Sequence, residues 1–180
     1  VLSLREKPRA RKITAPQPEN TIEDHLRWEE HTSIGYCCDS NHSVIGYETL
    51  LKLGYEGLLE KIARYEKQND NPAMYQAMRE VCEAGIRFGA RYAAKARELA
   101  ADPAMSDDRR RELEAIAVVC DRVPRYPART LQEAIQSLWF GHIFNTWEDT
   151  INANSLGRLD QILYPYYRQD IDSGRLTEDE

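Results

Sequence analysis

The stretch ANSLGRLDQILYPYY, residues 153–167, decides how the C-terminal part of the chain folds. Gly157 suits a tight approach or a backbone angle that other residues rarely adopt. Asp160 falls in the first turn of the helix that follows, where a carboxylate favours the helix dipole. We therefore expect a turn at Gly157 and a helix over about 159–171, which ends near Gly174, a suitable C-cap residue.

Upstream of this stretch, the hydrophobic pattern is helical. Apolar residues recur at three- and four-residue steps in three segments, which predicts three amphipathic helices with one buried face each. The residues on these faces are Leu51, Tyr55, Leu58, Ile62 and Tyr65, then Met74, Met78, Val81, Gly85, Phe88, Tyr92, Ala96 and Leu99, and last Leu113, Ile116, Ala117 and Cys120. Asn71 before Pro72 is a natural N-cap for the second helix, and Ser106 can cap the third.

Two prolines within residues 123–127 forbid continuation of the third helix. Thr130 and Glu133 then form a capping box. The helix that this box opens is apolar nearly all round, which is typical of a helix buried within something larger. Strand signals are limited to residues 33–38 and a second site near 152–156, so we expect a mainly α fold with one or two short strands.

The composition excludes several functions. Of the 180 residues, 42% are hydrophobic and 30% charged, and the net charge is −6. The acidic balance argues against a nucleic-acid partner, and no apolar run approaches the roughly 18 residues that span a membrane. We therefore expect a cytoplasmic protein that binds neither nucleic acid nor a membrane.

The four cysteines, Cys37, Cys38, Cys82 and Cys120, lack the spacing of metal ligands. We interpret them as inert, because a Cys in apolar surroundings behaves as a small buried hydrophobe. The chain lacks an initial Met, and Thr177 with Glu180 has the form of a capping box with no helix after it. Both features lead us to expect a fragment.

The sequence resembles the glycyl radical enzymes of the pyruvate formate-lyase-like family. The family's Gly-Arg-x-Asp-Gln run and the aromatic-Pro-aromatic segment after it are matched by Gly157, Arg158, Asp160, Gln161 and Pro165. Residues 41–54, NHSVIGYETLLKLG, are similar to a second family segment, with Asn41 in place of the usual Gly. Matches keep their order from about residue 39 onward. We therefore divide the chain into a lead-in helix and short strand, 1–38, and part of a pyruvate formate-lyase-type domain, 39–180.

This resemblance implies a parent fold and a chemistry. The parent fold is a ten-stranded β/α barrel, in which a glycyl radical oxidises a Cys to a thiyl that abstracts hydrogen from substrate. A separate activating enzyme, which uses S-adenosylmethionine and an iron–sulfur cluster, installs the radical. The implied partners are that activase, the remainder of the parent chain, a second copy in a homodimer and a small polar substrate. Neither the family's Cys-x-Glu motif nor its radical Gly motif occurs in the 180 residues, so no catalytic residue, cofactor or metal ligand is expected here.

Three residues are candidates for substrate binding. His42 matches a family His that hydrogen-bonds a substrate hydroxyl in diol dehydratases, although a loop His could equally satisfy backbone groups. Asn152 and Ala153 stand where glycerol-type members have a His-Ser pair. Since Ala can neither donate nor accept, glycerol is not the expected substrate. Asn152 and Asn154 remain candidates for a polar substrate.

The charged residues nearby have two interpretations each. Arg158 can make a bidentate pair with a nearby carboxylate, and we interpret Gly157, Arg158, Asp160 and Gln161 as a structural signature. Glu148 and Asp149 could face a cationic group or form a solvated helix end. Two functions follow: a segment of a glycyl radical lyase or dehydratase that is inert alone, or a stand-alone helical binding or assembly module that has lost the barrel.

Overall fold

The computed structural model describes residues 44–149 and 155–177. Within them the chain forms five helices: α1 Tyr47–Glu66, α2 Pro72–Ala100, α3 Asp107–Arg122, α4 Leu131–Asp149 and α5 Leu159–Asp172. No strand forms in these residues, and their β pairing is one isolated parallel bridge between Val44 and Ser155. The predicted mainly α class is confirmed. The expected strand at 33–38 lies outside the described residues. Of the second site, 152–156, the structure describes residues 155 and 156, and Ser155 forms the bridge to Val44.

The predicted helix starts are confirmed. Asn71 and Ser106 each accept a hydrogen bond from the backbone N–H three residues on, at 3.3 and 3.4 Å. The Thr130 hydroxyl accepts from the Glu133 N–H at 3.1 Å. The return bond of the capping box is displaced by one residue, because the Glu133 carboxylate accepts from the Arg129 N–H at 2.8 Å. These bonds satisfy donors that the first turn of a helix leaves free.

Helix α1 is interrupted at Gly54, which the periodicity did not predict. Gly54 has φ 64° and ψ 175°, and the two residues after it donate to another part of the backbone. The Tyr55 and Glu56 N–H groups bond the carbonyls of Pro124 and Arg125, each at 2.9 Å. We call this contact of residues 54–56 with 124–125 the Gly54 crossing. It ties α1 to the loop that leads into α4.

The prediction of which face of α2 is buried is partly wrong. Its large members Met74, Met78, Val81, Tyr92 and Leu99 are 40–45% exposed. The buried face is turned by about one position and consists of Tyr75, Cys82, Gly85, Gly89, Ala93, Ala96 and Ala100. Small residues occupy this buried face because they let neighbouring elements approach closely. A Cβ at Gly85, for example, would lie 2.3 Å from the Tyr55 ring.

Helices α4 and α5 form a hairpin against α1. The core here comprises Tyr47 and Leu51 from α1 and Ala134 and Leu138 from α4. Side chains of α5 pack on this core, namely Leu159, Ile162, Leu163 and Tyr166. On the other face of α4, Ile135 and Trp139 are about half exposed, in keeping with a helix that is apolar nearly all round.

Candidate functional site

The bridge between Val44 and Ser155 brings together two segments from opposite ends of the described chain. Val44 lies just before α1, and Ser155 lies just before α5. His42 is two residues before Val44, and Asn154 directly precedes Ser155. The backbone pairing therefore joins the two stretches that flank the candidate substrate residues.

Gly157 shapes the segment after the bridge. Its φ of 72° lies in the left-handed region, which confirms the unusual backbone angle expected from the sequence. A Cβ at this position would stand 3.1 Å from Cγ1 of Val44, and the Gly157 N–H donates to the Ser155 hydroxyl at 3.3 Å. Val44, Ser155 and Gly157 are called the junction below. Glycine there serves both the turn and the approach to Val44.

The charged residues of the signature bond one another. Arg158 donates from Nε to Oδ1 of Asp160 at 2.8 Å and from Nη2 to Oδ2 at 2.5 Å. Gln161 donates to the same carboxylate at 3.2 Å. These bonds, those from Arg158 first, hold the pKa of Asp160 well below its ordinary value. The predicted bidentate pair is present, and its charges are matched locally at an exposed surface.

A Tyr–His pair lies beside the junction, and the sequence analysis did not single it out. The hydroxyl of the fully buried Tyr47 is 2.9 Å from Nδ1 of His142, and the Trp139 ring stacks on the imidazole at 5.9 Å between centroids. Burial raises the pKa of Tyr47, so its hydroxyl stays protonated and can donate. Which of the two groups donates depends on the tautomer of His142, because a tyrosine hydroxyl can both donate and accept. The sequence signal that could have identified this pair is the single His142 within the apolar pattern of α4.

An open cleft of about 410 Å³ lies between α1, the N-terminal half of α2 and the C-terminal half of α4. Asn145 is one of its lining residues, and its Nδ2 is buried with no hydrogen-bond partner within residues 44–149 and 155–177. A buried amide without a partner costs free energy, which makes Asn145 a candidate to bond another molecule or another part of the protein. The sequence analysis did not identify it. The other lining residues are Ile45, Gly46, Thr49, Leu50, Tyr55, Leu58, Val81, Gly141 and Phe144.

The described cysteines fit the inert interpretation. Cys82 and Cys120 are both free and buried. Burial, with a smaller contribution from the Asp121 charge, raises the pKa of Cys120 to about 11, and burial also raises the pKa of Cys82. Both thiols therefore stay protonated and unreactive at neutral pH. Cys37 and Cys38 lie outside the described residues.

Within the described part of the chain, no three His, Cys, Asp or Glu side chains come together as metal ligands. None of its five helices is long and apolar enough to cross a membrane.

The proposed substrate residues themselves fall outside the described part. His42, Asn152 and Asn154 are not among the described residues, nor are the side chains of Glu148 and Asp149. Their roles therefore stay predictions. What the fold supplies is the junction that flanks them.

The comparisons with known proteins point to one family. The family described as pyruvate formate lyase-like matches residues 29–180. The chain is 40% identical over 148 residues to the isethionate sulfite-lyase of Nitratidesulfovibrio vulgaris, which covers 74% of this chain and 17% of that protein. It is 36% identical over 148 residues to the trans-4-hydroxy-L-proline dehydratase of Clostridioides difficile, which covers 77% of this chain and 18% of that protein.

Similarity of structure agrees. A solved structure that concerns 1,2-propanediol dehydration in Roseburia inulinivorans superposes with a TM-score of 0.70 at 36% identity, over 77% of this chain and 17% of that one. The structural neighbours are glycyl radical enzymes with a β/α barrel as parent fold. The chain spans less than a fifth of the length of these two curated relatives. From the match over residues 29–180, the identities and the shared helical architecture, the chain belongs to the pyruvate formate lyase-like family of glycyl radical enzymes.

Proposed function

We propose that these residues form part of a longer glycyl radical lyase or dehydratase that acts on a small polar substrate. The observation that carries the proposal is the match to relatives of this class, of which the chain spans only 17–18%. In such an enzyme a thiyl radical abstracts hydrogen from the substrate, and a substituent on the neighbouring carbon then leaves. The Cys and Gly for this step would lie outside the 180 residues, since neither motif occurs in them.

The contribution of this segment would be substrate recognition. The candidates are His42, Asn152 and Asn154, which flank the two sides of the Val44–Ser155 bridge in the sequence. Imidazole and carboxamide groups can each donate and accept, so they suit substrates that carry hydroxyl or acidic groups. Ala153 takes the place of a hydrogen-bonding Ser in the glycerol-type pattern, which supports a substrate other than glycerol.

The radical itself provides the first test. The full-length protein, expressed anaerobically with its radical S-adenosylmethionine activase, should give the doublet of a glycine-centred radical in electron paramagnetic resonance. The control omits S-adenosylmethionine from the activation. A silent spectrum with an activase that works on another family member would contradict the enzyme assignment.

Substrate choice is tested separately on the activated protein. Isethionate, trans-4-hydroxy-L-proline, 1,2-propanediol and glycerol form the panel, and we expect glycerol to have the lowest kcat/KM of the compounds turned over. His42→Ala and Asn152→Ala should each raise KM for the best substrate by about tenfold or more, because a site built to bond a polar group discriminates strongly. The matched control is Asn69→Ala, an exposed asparagine between α1 and α2. Glycerol as the best substrate, or variants no worse than the control, would contradict this part.

The other expectations from the family stay predictions. They are a cytoplasmic location, a homodimer, and a boundary after residue 38 between a lead-in and the main domain. The alternative function, a stand-alone helical binding or assembly module, predicts a reading frame with no radical Gly motif after these residues. Sequencing that frame distinguishes the two functions before any protein is made.

A further inference from the structure

Asp170 is a buried acid that the candidate site does not use directly. It lies in the last turn of α5, and only 2% of the residue is exposed. Its Oδ2 accepts a hydrogen bond from the backbone N–H of Leu131 at 2.8 Å, and its Oδ1 bonds the Arg175 guanidinium. Leu131 is the first residue of α4, so the carboxylate of one helix caps the N-terminus of the other.

A buried charge is a costly way to make such a contact. Removing a carboxylate from water opposes folding, and an apolar pair of similar size often gives equal or greater stability. The best-attested advantage of a buried polar contact is that it fixes one register between packed elements. The apolar contacts of α5 with α4 lack this property, because burial of apolar surface is non-directional.

Because of where Asp170 lies, the register of α5 on α4 affects the geometry of the junction. Helix α5 is held at its C-terminal end by the Asp170–Leu131 bond, and the chain just before its N-terminus is held by the Val44–Ser155 bridge. The two attachments are separated by about 16 Å of helix, at 1.5 Å per residue from Leu159 to Asp170. A shift of α5 along α4 would therefore move Ser155 and Gly157 relative to Val44.

We propose that Asp170 is a positioning residue, which sets the register of α5 on α4 and thereby holds the junction in the geometry needed for substrate binding. The last step of this inference, from junction geometry to substrate binding, rests on the proposed function. Asp170 acts through Leu131 and α5 and touches no reacting atom.

Four variants of the full-length protein separate register from stability. Asp170→Ala removes both the bond to Leu131 and the bond to Arg175. Asp170→Asn keeps an acceptor for Leu131 but loses the charge. Arg175→Gln removes the charge partner and leaves the Leu131 bond in place. Asp172→Ala is the matched control, since it breaks the half-exposed Arg168–Asp172 pair on the same helix.

Two measurements are made on each variant. In the activated enzyme, Asp170→Ala should raise KM on the order of tenfold with the radical yield unchanged, because small misplacements far from the chemistry weaken binding geometry. Hydrogen exchange should become faster in peptides covering 155–163 and stay unchanged in α2 and α3. Arg175→Gln and Asp172→Ala should leave both readouts near the wild type, and Asp170→Asn should lie between.

The outcomes are separable. An unchanged KM and unchanged exchange at 155–163 in Asp170→Ala would overturn the inference. A KM that follows thermal stability across all four variants, so that Arg175→Gln matches Asp170→Ala, would also overturn it. If Asp170→Ala does not accumulate as folded protein, Asp170→Asn against Arg175→Gln carries the same comparison. A wild type with no radical and no turnover would refute the proposed function, while the exchange measurement would still decide the register of α5.

Discussion

The Gly54 crossing and the junction are two places where a glycine with positive φ meets a distant part of the chain. At the crossing, two backbone hydrogen bonds of 2.9 Å hold the contact, and a Cβ on Gly54 would lie 2.4 Å from the Arg125 carbonyl oxygen. At the junction, a Cβ on Gly157 would lie 3.1 Å from the side chain of Val44, which is 62% exposed. Backbone pairing is present at both places, but the atoms nearest the glycine differ: they are backbone atoms at the crossing and a side-chain atom, which can move, at the junction. We therefore expect a substitution of the glycine to cost less free energy at the junction than at the crossing.

The largest effect is expected for Gly54→Ala. The substitution strains a positive φ and also places a methyl group against the Arg125 carbonyl oxygen, which a hydrogen bond from the Glu56 N–H holds in place, so it should cost more than about 3 kcal/mol. Gly174→Ala is the control, because Gly174 has φ 69° with nothing within 4 Å of a Cβ, and it should cost about 1 kcal/mol. The thermal midpoint of the full-length protein measures both. Equal losses would mean that the crossing is no tighter than an open turn.

The next largest effect is expected for Glu133, in the first turn of α4. It lies between the Gly54 crossing and the junction segment 155–157 along the sequence. Its burial raises its pKa, but bonds from Arg129 and the charge of Arg122 outweigh burial and leave the pKa below the ordinary 4.5. Glu133→Gln should cost about 2 kcal/mol at pH 7, less than a fully buried pair because the released Arg129 is mostly exposed.

The same lowered pKa gives the pH dependence of this variant. A carboxyl group with a lowered pKa in the folded state stabilises the fold fully above its unfolded pKa, and this contribution is lost as pH falls through the folded pKa. The difference between wild type and Glu133→Gln should therefore be largest at pH 7 and shrink below about pH 4.5 in unfolding experiments across pH. Glu112→Gln, which breaks an exposed pair with Arg109, should change little at any pH. A difference that grows in acid would contradict the assignment.

A smaller effect is expected at the junction. Gly157→Ala should cost about 1 kcal/mol for the positive φ, plus a few tenths for the contact with Val44. In a Val44→Ala background the contact part should vanish and the φ part remain, which a double-mutant cycle on thermal stability measures. A coupling above about 2 kcal/mol would show that the junction is as tight as the crossing.

The smallest effect is expected for Arg158→Met, which removes the exposed pair with Asp160. Exposed ion pairs contribute little because water and salt screen them, so the thermal midpoint should stay close to that of the wild type. Thermal midpoint and turnover are compared with Lys52→Met, which breaks the exposed Lys52–Glu48 pair. A loss of turnover at unchanged stability, found only in Arg158→Met, would mean that the signature has a functional role beyond structure.

The sequence predicted those structural features that depend on interactions between residues close together in the chain. The caps at Asn71, Ser106 and Thr130 and the turn at Gly157 depend on neighbouring residues alone, and all four are present. The buried face of α2 was less predictable. Apolar periodicity favoured the face with large residues, whereas the packing selected a face that also includes Cys82, Gly89 and Ala93, which admits closer neighbours.

The candidate site was predictable in part. Resemblance to the family predicted the importance of the segments around His42 and of residues 152–161, and the bridge joins Val44, two residues after His42, to Ser155 in the second segment. The pairing of Tyr47 with His142 and the buried amide of Asn145 were missed, because a lone polar group within an apolar pattern does not show its partner. Its role depends on which partner from another helix lies opposite.

The sequence by itself determined the family, the mainly α class, the helix starts and the turn at Gly157, because motifs, caps and periodicity act over a few neighbouring residues. Only the tertiary structure decided the interruption of α1 at Gly54, the packed face of α2, the Tyr47–His142 pair and the bond from Asp170 to the start of α4. Each of these joins atoms that are distant in sequence, and their free energy exists only when the helices that carry them have packed together.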